Sequence, residues 1–409
     1  MSKQSNSYDL IVIGGGAAGF FGAIRSVQES PNLKILILEK AKQILSKVKI
    51  SGGGRCNVTH ACFDPTEMVT KYPRGHKELL GPFHQFLCGD MMAWLEDKGV
   101  PTKIEEDGRI FPVTDKSQSI IDCFTGLCKK YQIEIKTQSS VTSFKREYKI
   151  WQVTTKDENY KAKNILIATG SSTAFWNILG KMGYTIVPPV PSLFTFNIKH
   201  PLLKDLPGLA VPNAEVKINN IKFEESGPLL ITHWGLSGPA VLKLSAWAAR
   251  ELHAKNYKFN VAINWSGQAK ENIMAELERN RKQNGKKLVS NLALANLPKR
   301  LWQRMLQVTN IPSKLNYASL NAKQIAALIE IIGNCSLQVN GKSTFKDEFV
   351  TCGGVDNKQV NFKTMESKLH PNLYFAGEVL NIDAVTGGFN FQAAWTTAYL
   401  AAKQIAQNQ

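Results

Sequence analysis

Three glycines spaced Gly14-x-Gly16-x-x-Gly19 follow the apolar run Leu10-Ile11-Val12-Ile13, and Glu39 closes a second apolar run 20 residues after Gly19. This is the pattern of a turn that grips a dinucleotide phosphate. Gly14 permits the tight turn, Gly16 lets the backbone approach a pyrophosphate, and Gly19 lets the following helix pack close to a sheet. Ala17 and Ala18 open that helix, whose free N–H groups and partial positive charge suit phosphates. Glu39 can accept both hydroxyls of an adenosine ribose, with Lys40 beside it. A second glycine cluster, Gly52-Gly53-Gly54-Arg55-Cys56-Asn57, follows Lys47. It lets backbone N–H groups point inward while a guanidinium and an amide come close behind, which suits the phosphates or the ring edge of a cofactor.

Two later stretches extend the set. Ala168-Thr169-Gly170 is the small-residue exit of a buried strand, where ligands of a doubly wound sheet bind. Gly377-Glu378 ends another strand with a carboxylate suited to a ribityl hydroxyl, and Gly387-Gly388-Phe389-Asn390 opens a helix whose N–H groups can face the pyrimidine edge of a flavin. Val141 completes the expected cofactor contacts. The opening turn alone allows NAD or FAD, whereas the later loops supply contacts for the flavin half of a longer cofactor, so FAD is the expectation. The candidate proton donors are His233, in Thr232-His233-Trp234-Gly235, and secondarily Cys56. The same His233 also fits a structural role, satisfying a backbone carbonyl.

The elements that must position these groups form an α/β fold. Strand, turn, helix and strand over 8–40 make a βαβ unit, and 76–100 reads as one helix with apolar positions from Phe83 to Leu95. A helix over 117–130, three short strands and the strand 163–167 follow. Val187-Pro188-Pro189-Val190-Pro191 marks a boundary. The expected organisation is a bipartite, doubly wound, Rossmann-like FAD-binding domain (1–190 and 346–409). Inserted in it is a small β-barrel-like domain (191–249 and 325–345), which itself carries a basic helical insert (250–324).

Composition narrows the classes. The chain has 409 residues, 43% of them hydrophobic, which is globular rather than disordered. No apolar run approaches a membrane span, and Met1 to Ser7 is polar without a secretory apolar core, so the expectation is a cytoplasmic protein with no membrane partner. The seven scattered cysteines form no Cys-x-x-Cys, and no Cys/His cluster suggests a metal. Net charge is +17, and 250–330 alone carries 14 Lys/Arg against 5 acids. Clustered positive charge attracts phosphate backbones, and the same surplus also serves a solvated helical surface.

These motifs together resemble the BaiN-like (YhiN-type) bacterial flavoproteins, through Ser51 to Asn57, Gly108 to Pro112, Thr232 to Pro239, Cys352 to Val355 and Gly377 to Asn390. The resemblance implies non-covalent FAD and oxidoreductase activity, on steroid-like enones or on uridine of ribosomal RNA. The chain departs from the family at His60, Cys352, Asn381 and Phe389; the last cannot donate a proton. No second glycine fingerprint supports a separate nicotinamide domain, so NAD(P)H would reach the flavin through an open face. The basic insert favours ribosomal RNA as substrate, through Lys282, Lys286, Lys287, Lys299 and Arg300. Alternatives are reduction of small enones, a flavin oxidase of a small amine, and a non-enzymatic RNA-binding flavoprotein.

Overall fold

The computed structural model describes residues 6–343 and 350–408. The chain forms two compact units, Met1–Val190 with Val350–Gln409, and Pro191–Phe349.

The first unit is built on a nine-stranded sheet. Its parallel centre runs, in spatial order, Leu373–Phe375, Asn159–Ile167, Ser7–Ile13, Ile35–Leu38 and Glu134–Lys136. Leu10 to Ile13 are buried, because a parallel strand covered on both faces needs a continuous apolar run. A strand from the end of the chain thus docks beside Asn159–Ile167, with Leu373 opposite Ile165, which makes the unit bipartite. The helices Ala17–Glu29 and Phe389–Gln407 pack together on this sheet. A Cβ on Gly22 would lie 2.5 Å from Leu166 Cδ2 and 3.6 Å from Ala398 Cβ, so glycine here spares the Leu166 side chain a shift as the helix packs close. A three-stranded sheet, Thr59–His60, Arg109–Pro112 and Thr102–Ile104, stands apart.

Residues 76–100 are two helices, His76–Phe83 and Cys88–Asp97, rather than the one expected. Pro82 lies near the end of the first. Leu87 is extended, and its N–H donates to Asp90 Oδ2 at 2.7 Å, which starts the second.

The second unit is a seven-stranded antiparallel sheet in the order Cys335–Asn340, Lys258–Asn264, Ala210–Ile218, Glu224–Ile231, Gly235–Ser237, Thr195–Asn197 and Lys342–Ser343. Its two outermost strands are consecutive in the chain across Gly341, so the sheet closes on itself like a barrel. Val216, Ile218, Val261 and Ile263 alternate inward to fill it. The expected helical insert over 250–324 needs correction. Lys258–Asn264 lies inside that range and is a strand, with Phe259, Val261 and Ile263 buried at period two. The helices Lys270–Gln283, Lys299–Val308 and Ala322–Gly333 fill the span between Lys258–Asn264 and Cys335–Asn340. The expected boundary at 345/346 falls outside the described residues.

Candidate cofactor site

At the end of Ser7–Ile13 the turn is forced to be glycine. Gly14 has φ +113°, and a Cβ there would lie 2.3 Å from the Ala168 carbonyl oxygen. A Cβ on Gly19 would lie 2.0 Å from the Gly14 carbonyl oxygen. Gly16 differs, with open space where its Cβ would be. It caps Ala17–Glu29 with no side-chain hydrogen bond, and the first turn holds no acid, so the N-terminal N–H groups of this helix are left to an anion. A cleft here is lined by Gly14, Glu39, Lys40, Val141, Thr169 and Ser172. Five of the residues expected at the cofactor therefore meet in one place.

Glu39 is already partly engaged. Its Oε2 accepts the Gly15 N–H at 2.7 Å and its Oε1 the Ala41 N–H at 2.7 Å. Both bonds fix the carboxylate, and each oxygen keeps a second lone pair for a ribose hydroxyl. Lys40 Nζ reaches Ser172 Oγ at 3.5 Å. Thr169 Oγ1 is buried without a hydrogen-bond partner among the described residues, and Gly170 takes φ +59°.

The second group of motifs converges on the start of Phe389–Gln407. Gly388 has φ +96°, and a Cβ on it would lie 2.5 Å from the Thr59 carbonyl oxygen and 2.9 Å from Asn57 Oδ1. That Asn57 oxygen is buried and has no partner among the described residues. Gly388 caps the helix without a side-chain bond, and again the first turn has no acid. Gly377, at the exit of Leu373–Phe375, donates its N–H to Thr397 Oγ1 at 3.0 Å, and a Cβ there would meet Ala18 Cβ at 3.2 Å.

Several expected contacts take other roles. The 47–57 stretch is not a plain loop: helix Ser46–Gly54 is broken at Ser51–Gly53, where Gly52 and Gly53 have φ +58° and +69°. Arg55 turns to Glu105 (2.6 Å) and Asp115 (3.3 Å) and lies 3.8 Å over the Phe111 ring. Two carboxylates thereby neutralise the guanidinium expected at the phosphates. Lys47 Nζ pairs with Glu378 Oε2 at 2.5 Å. Asn390 closes the Gly387 loop, accepting from Ala384 N–H at 2.9 Å and donating to Ala384 O at 3.2 Å. Cys56 is buried, and burial pushes its thiol up to about 12. An enclosed, neutral thiol is a poor acid for a substrate, which corrects its placement among the catalytic candidates.

The structure adds groups that spacing did not reveal. His60 donates from Nδ1 to the Gly387 carbonyl at 3.1 Å and stacks on Phe389 with centroids 4.5 Å apart. Thr59 Oγ1 donates to Gln392 Oε1 at 2.6 Å, and Tyr72 OH donates to the Phe389 carbonyl at 2.5 Å. These partners lie more than 300 residues apart in the chain, so no local pattern could have linked them.

In the second unit, His233 is exposed in the turn between Glu224–Ile231 and Gly235–Ser237. Lys282, Lys286, Lys287 and Lys299 are exposed, whereas the exposed Arg300 donates to the Asp205 carbonyl. Among the described residues no group could hold a metal ion and no helix is long and apolar enough to cross a membrane.

Two uncapped helix N-termini, an acid at the end of the second strand and two orphaned buried side-chain oxygens fit a dinucleotide with a second aromatic ring system. The class these features define is a Rossmann-type FAD flavoprotein. The chain belongs to the HI0933-like family: a family model described as the HI0933-like protein Rossmann domain matches residues 8–404. It is an FAD-dependent oxidoreductase. It is 31% identical over 410 residues to a ribosomal RNA dihydrouridine synthase of Escherichia coli (strain K12), covering 97% of this chain and 98% of the relative. It is 25% identical over 415 residues to a 3-dehydro-bile acid delta(4,6)-reductase of Clostridium scindens, covering 97% and 98%. The crystal structure of a 3-ketosteroid-delta4-(5alpha)-dehydrogenase from Rhodococcus jostii RHA1 shares the fold, with TM-score 0.53, 12% identity, and 99% and 98% of the two chains covered.

Proposed function

We propose that this protein reduces uridine in ribosomal RNA to dihydrouridine, with NAD(P)H as the source of electrons. The observation that carries the reading is the full-length similarity to the Escherichia coli relative of that name. Charge supports it. A small enone needs an apolar pocket and gains nothing from the exposed Lys282, Lys286, Lys287 and Lys299, whereas an RNA backbone does.

Bound FAD would supply hydride to the β-carbon of a C=C conjugated with a carbonyl, which in uracil is C6. The chain's part is to bind and orient. The first helix N-terminus, behind Gly16, would hold the pyrophosphate, and Glu39 the adenosine ribose. Glu378, oriented by Lys47, would take a ribityl hydroxyl. The helix opening at Gly388 would stabilise negative charge on the pyrimidine edge of the ring, with Asn57 Oδ1 accepting a ring N–H. The reaction also needs a proton at uracil C5. With Cys56 enclosed, His233 is the group proposed to supply it.

The test is a map of dihydrouridine in ribosomal RNA from a strain lacking the protein. One modified position should be lost and should return with the wild-type gene. An unchanged map would sink the reading, as would a purified holoenzyme whose flavin neither NADH nor NADPH reduces.

A further inference from the structure

Three aromatic side chains stand well exposed among the described residues: Phe63 at 58%, Tyr148 at 100% and Trp234 at 60%. Only Trp234 belongs to Pro191–Phe349, the unit with 21 Lys/Arg against 11 Asp/Glu. An indole is the largest apolar side chain, and at a loop tip it offers a broad flat face that a planar ring can cover.

The backbone of the tip that carries it is tied by hydrogen bonds. Thr232 N–H donates to the Gly235 carbonyl at 2.8 Å, and Thr232 Oγ1 accepts the N–H groups of Trp234 (3.3 Å) and Gly235 (3.2 Å). The Trp234 carbonyl accepts the Ile198 N–H at 2.9 Å. Gly235 has φ +145°, and a Cβ there would lie 2.2 Å from the Phe196 carbonyl oxygen, so only glycine lets the turn pack this close to the neighbouring strand. The neighbouring strand pairs Asn197 with Gly235 and then runs past the ladder into Lys199 and His200, both exposed. An exposed aromatic side chain on a tied turn thus stands next to the cation of Lys199, on a unit whose charge is strongly positive.

We propose that Trp234 is a stacking platform for an unpaired base of the RNA, with Lys199 beside it meeting the phosphate chain. This rests on the reading of RNA as substrate and names a contact that reading requires. A base inside a folded RNA is out of reach of a reductant until it, or a neighbour, leaves the stack. Phosphate contacts from lysines hold the backbone but offer nothing to an unstacked base. An aromatic face does, for any base, and a tip that is already ordered loses little freedom on binding.

The probes are a labelled single-stranded oligouridylate of about twelve nucleotides and an abasic ribose-phosphate chain of the same length, titrated with FAD-loaded protein by fluorescence anisotropy. The wild type should bind the oligouridylate about tenfold more tightly than the abasic chain. Trp234→Ala should bind both alike, with unchanged FAD content and an unchanged dependence on salt, because stacking releases no counterions. Trp234→Phe should keep most of the preference. Lys199→Glu should weaken both chains and flatten the salt dependence. Retention of the full preference in Trp234→Ala overturns the proposal, and so does a wild type that binds both chains alike. Failure of the substrate reading shows separately, as an unchanged dihydrouridine map.

Discussion

Gly14 and Gly16 are two residues apart and have different reasons to be glycine. Gly14 is demanded by the protein itself, through its positive φ and the Ala168 carbonyl oxygen 2.3 Å from any Cβ. Gly16 meets nothing, so the fold itself does not demand glycine there, in keeping with the proposed close approach of a pyrophosphate. Gly14→Ala should therefore unfold or strongly destabilise the apoprotein, by more than about 2 kcal/mol. Gly16→Ala should leave apoprotein stability within about 0.5 kcal/mol and weaken FAD at least tenfold. Urea unfolding of the two apoproteins and FAD titration of Gly16→Ala check both statements; wild-type FAD affinity in Gly16→Ala would remove the pyrophosphate from this turn. At this scale the fingerprint was legible in the sequence, because the geometry of a phosphate turn dictates glycine locally. Arg55 was not. Its type suits a phosphate equally well, and only the fold brings Glu105 and Asp115 against it.

At the scale of elements, the C-terminal helix is the hub. Its opening residues are held by Thr59, His60 and Tyr72, all from the first fifth of the chain, and by Asn390 closing its own loop. Asn390→Ala removes two hydrogen bonds to Ala384 and should lower stability by about 1–2 kcal/mol. The loss should grow when FAD is present if, as proposed, the Gly387–Gly388 turn also presents the helix N-terminus to the flavin. Melting with and without FAD measures both; an equal shift in the two states would confine Asn390 to the fold. Helix Phe389–Gln407 was readable from its glycine start and apolar period. The break after Phe83 was hidden by an apolar pattern that continues across Pro82, and strand Lys258–Asn264 by the basic helical stretch that follows it.

For the whole molecule, charge and pH report on different things. Reversing Lys282, Lys286, Lys287 and Lys299 to Glu should abolish binding of ribosomal RNA and reduce its salt dependence while FAD stays bound. Arg300 is left out because it also ties the backbone at Asp205. Filter binding across a salt series decides, and unchanged affinity would end the charge argument. One histidine contributes to the acid limb of stability. His370, in the first unit, is held below the ordinary histidine value of 6.5 by partial burial, with Arg146 also acting on it. The unfolded chain then takes up protons more readily than the folded one. Stability from this group is complete above about pH 6.5 and is lost as pH falls below it. Urea midpoints at about pH 7.5 and pH 5.5 should differ less in His370→Gln than in the wild type.

The sequence by itself determined the cofactor class, since a strand, a glycine turn, a helix and an acid are local and their spacing follows from backbone geometry. It also determined that positive charge concentrates outside the FAD-binding stretches. Tertiary structure alone decided which polar side chains remain for a ligand. Among the described residues Asn57 and Thr169 keep buried, unpartnered oxygens, while Arg55 and Asn390 are occupied by the protein. Satisfaction of a polar group depends on partners brought from distant segments, and no spacing along the chain encodes that.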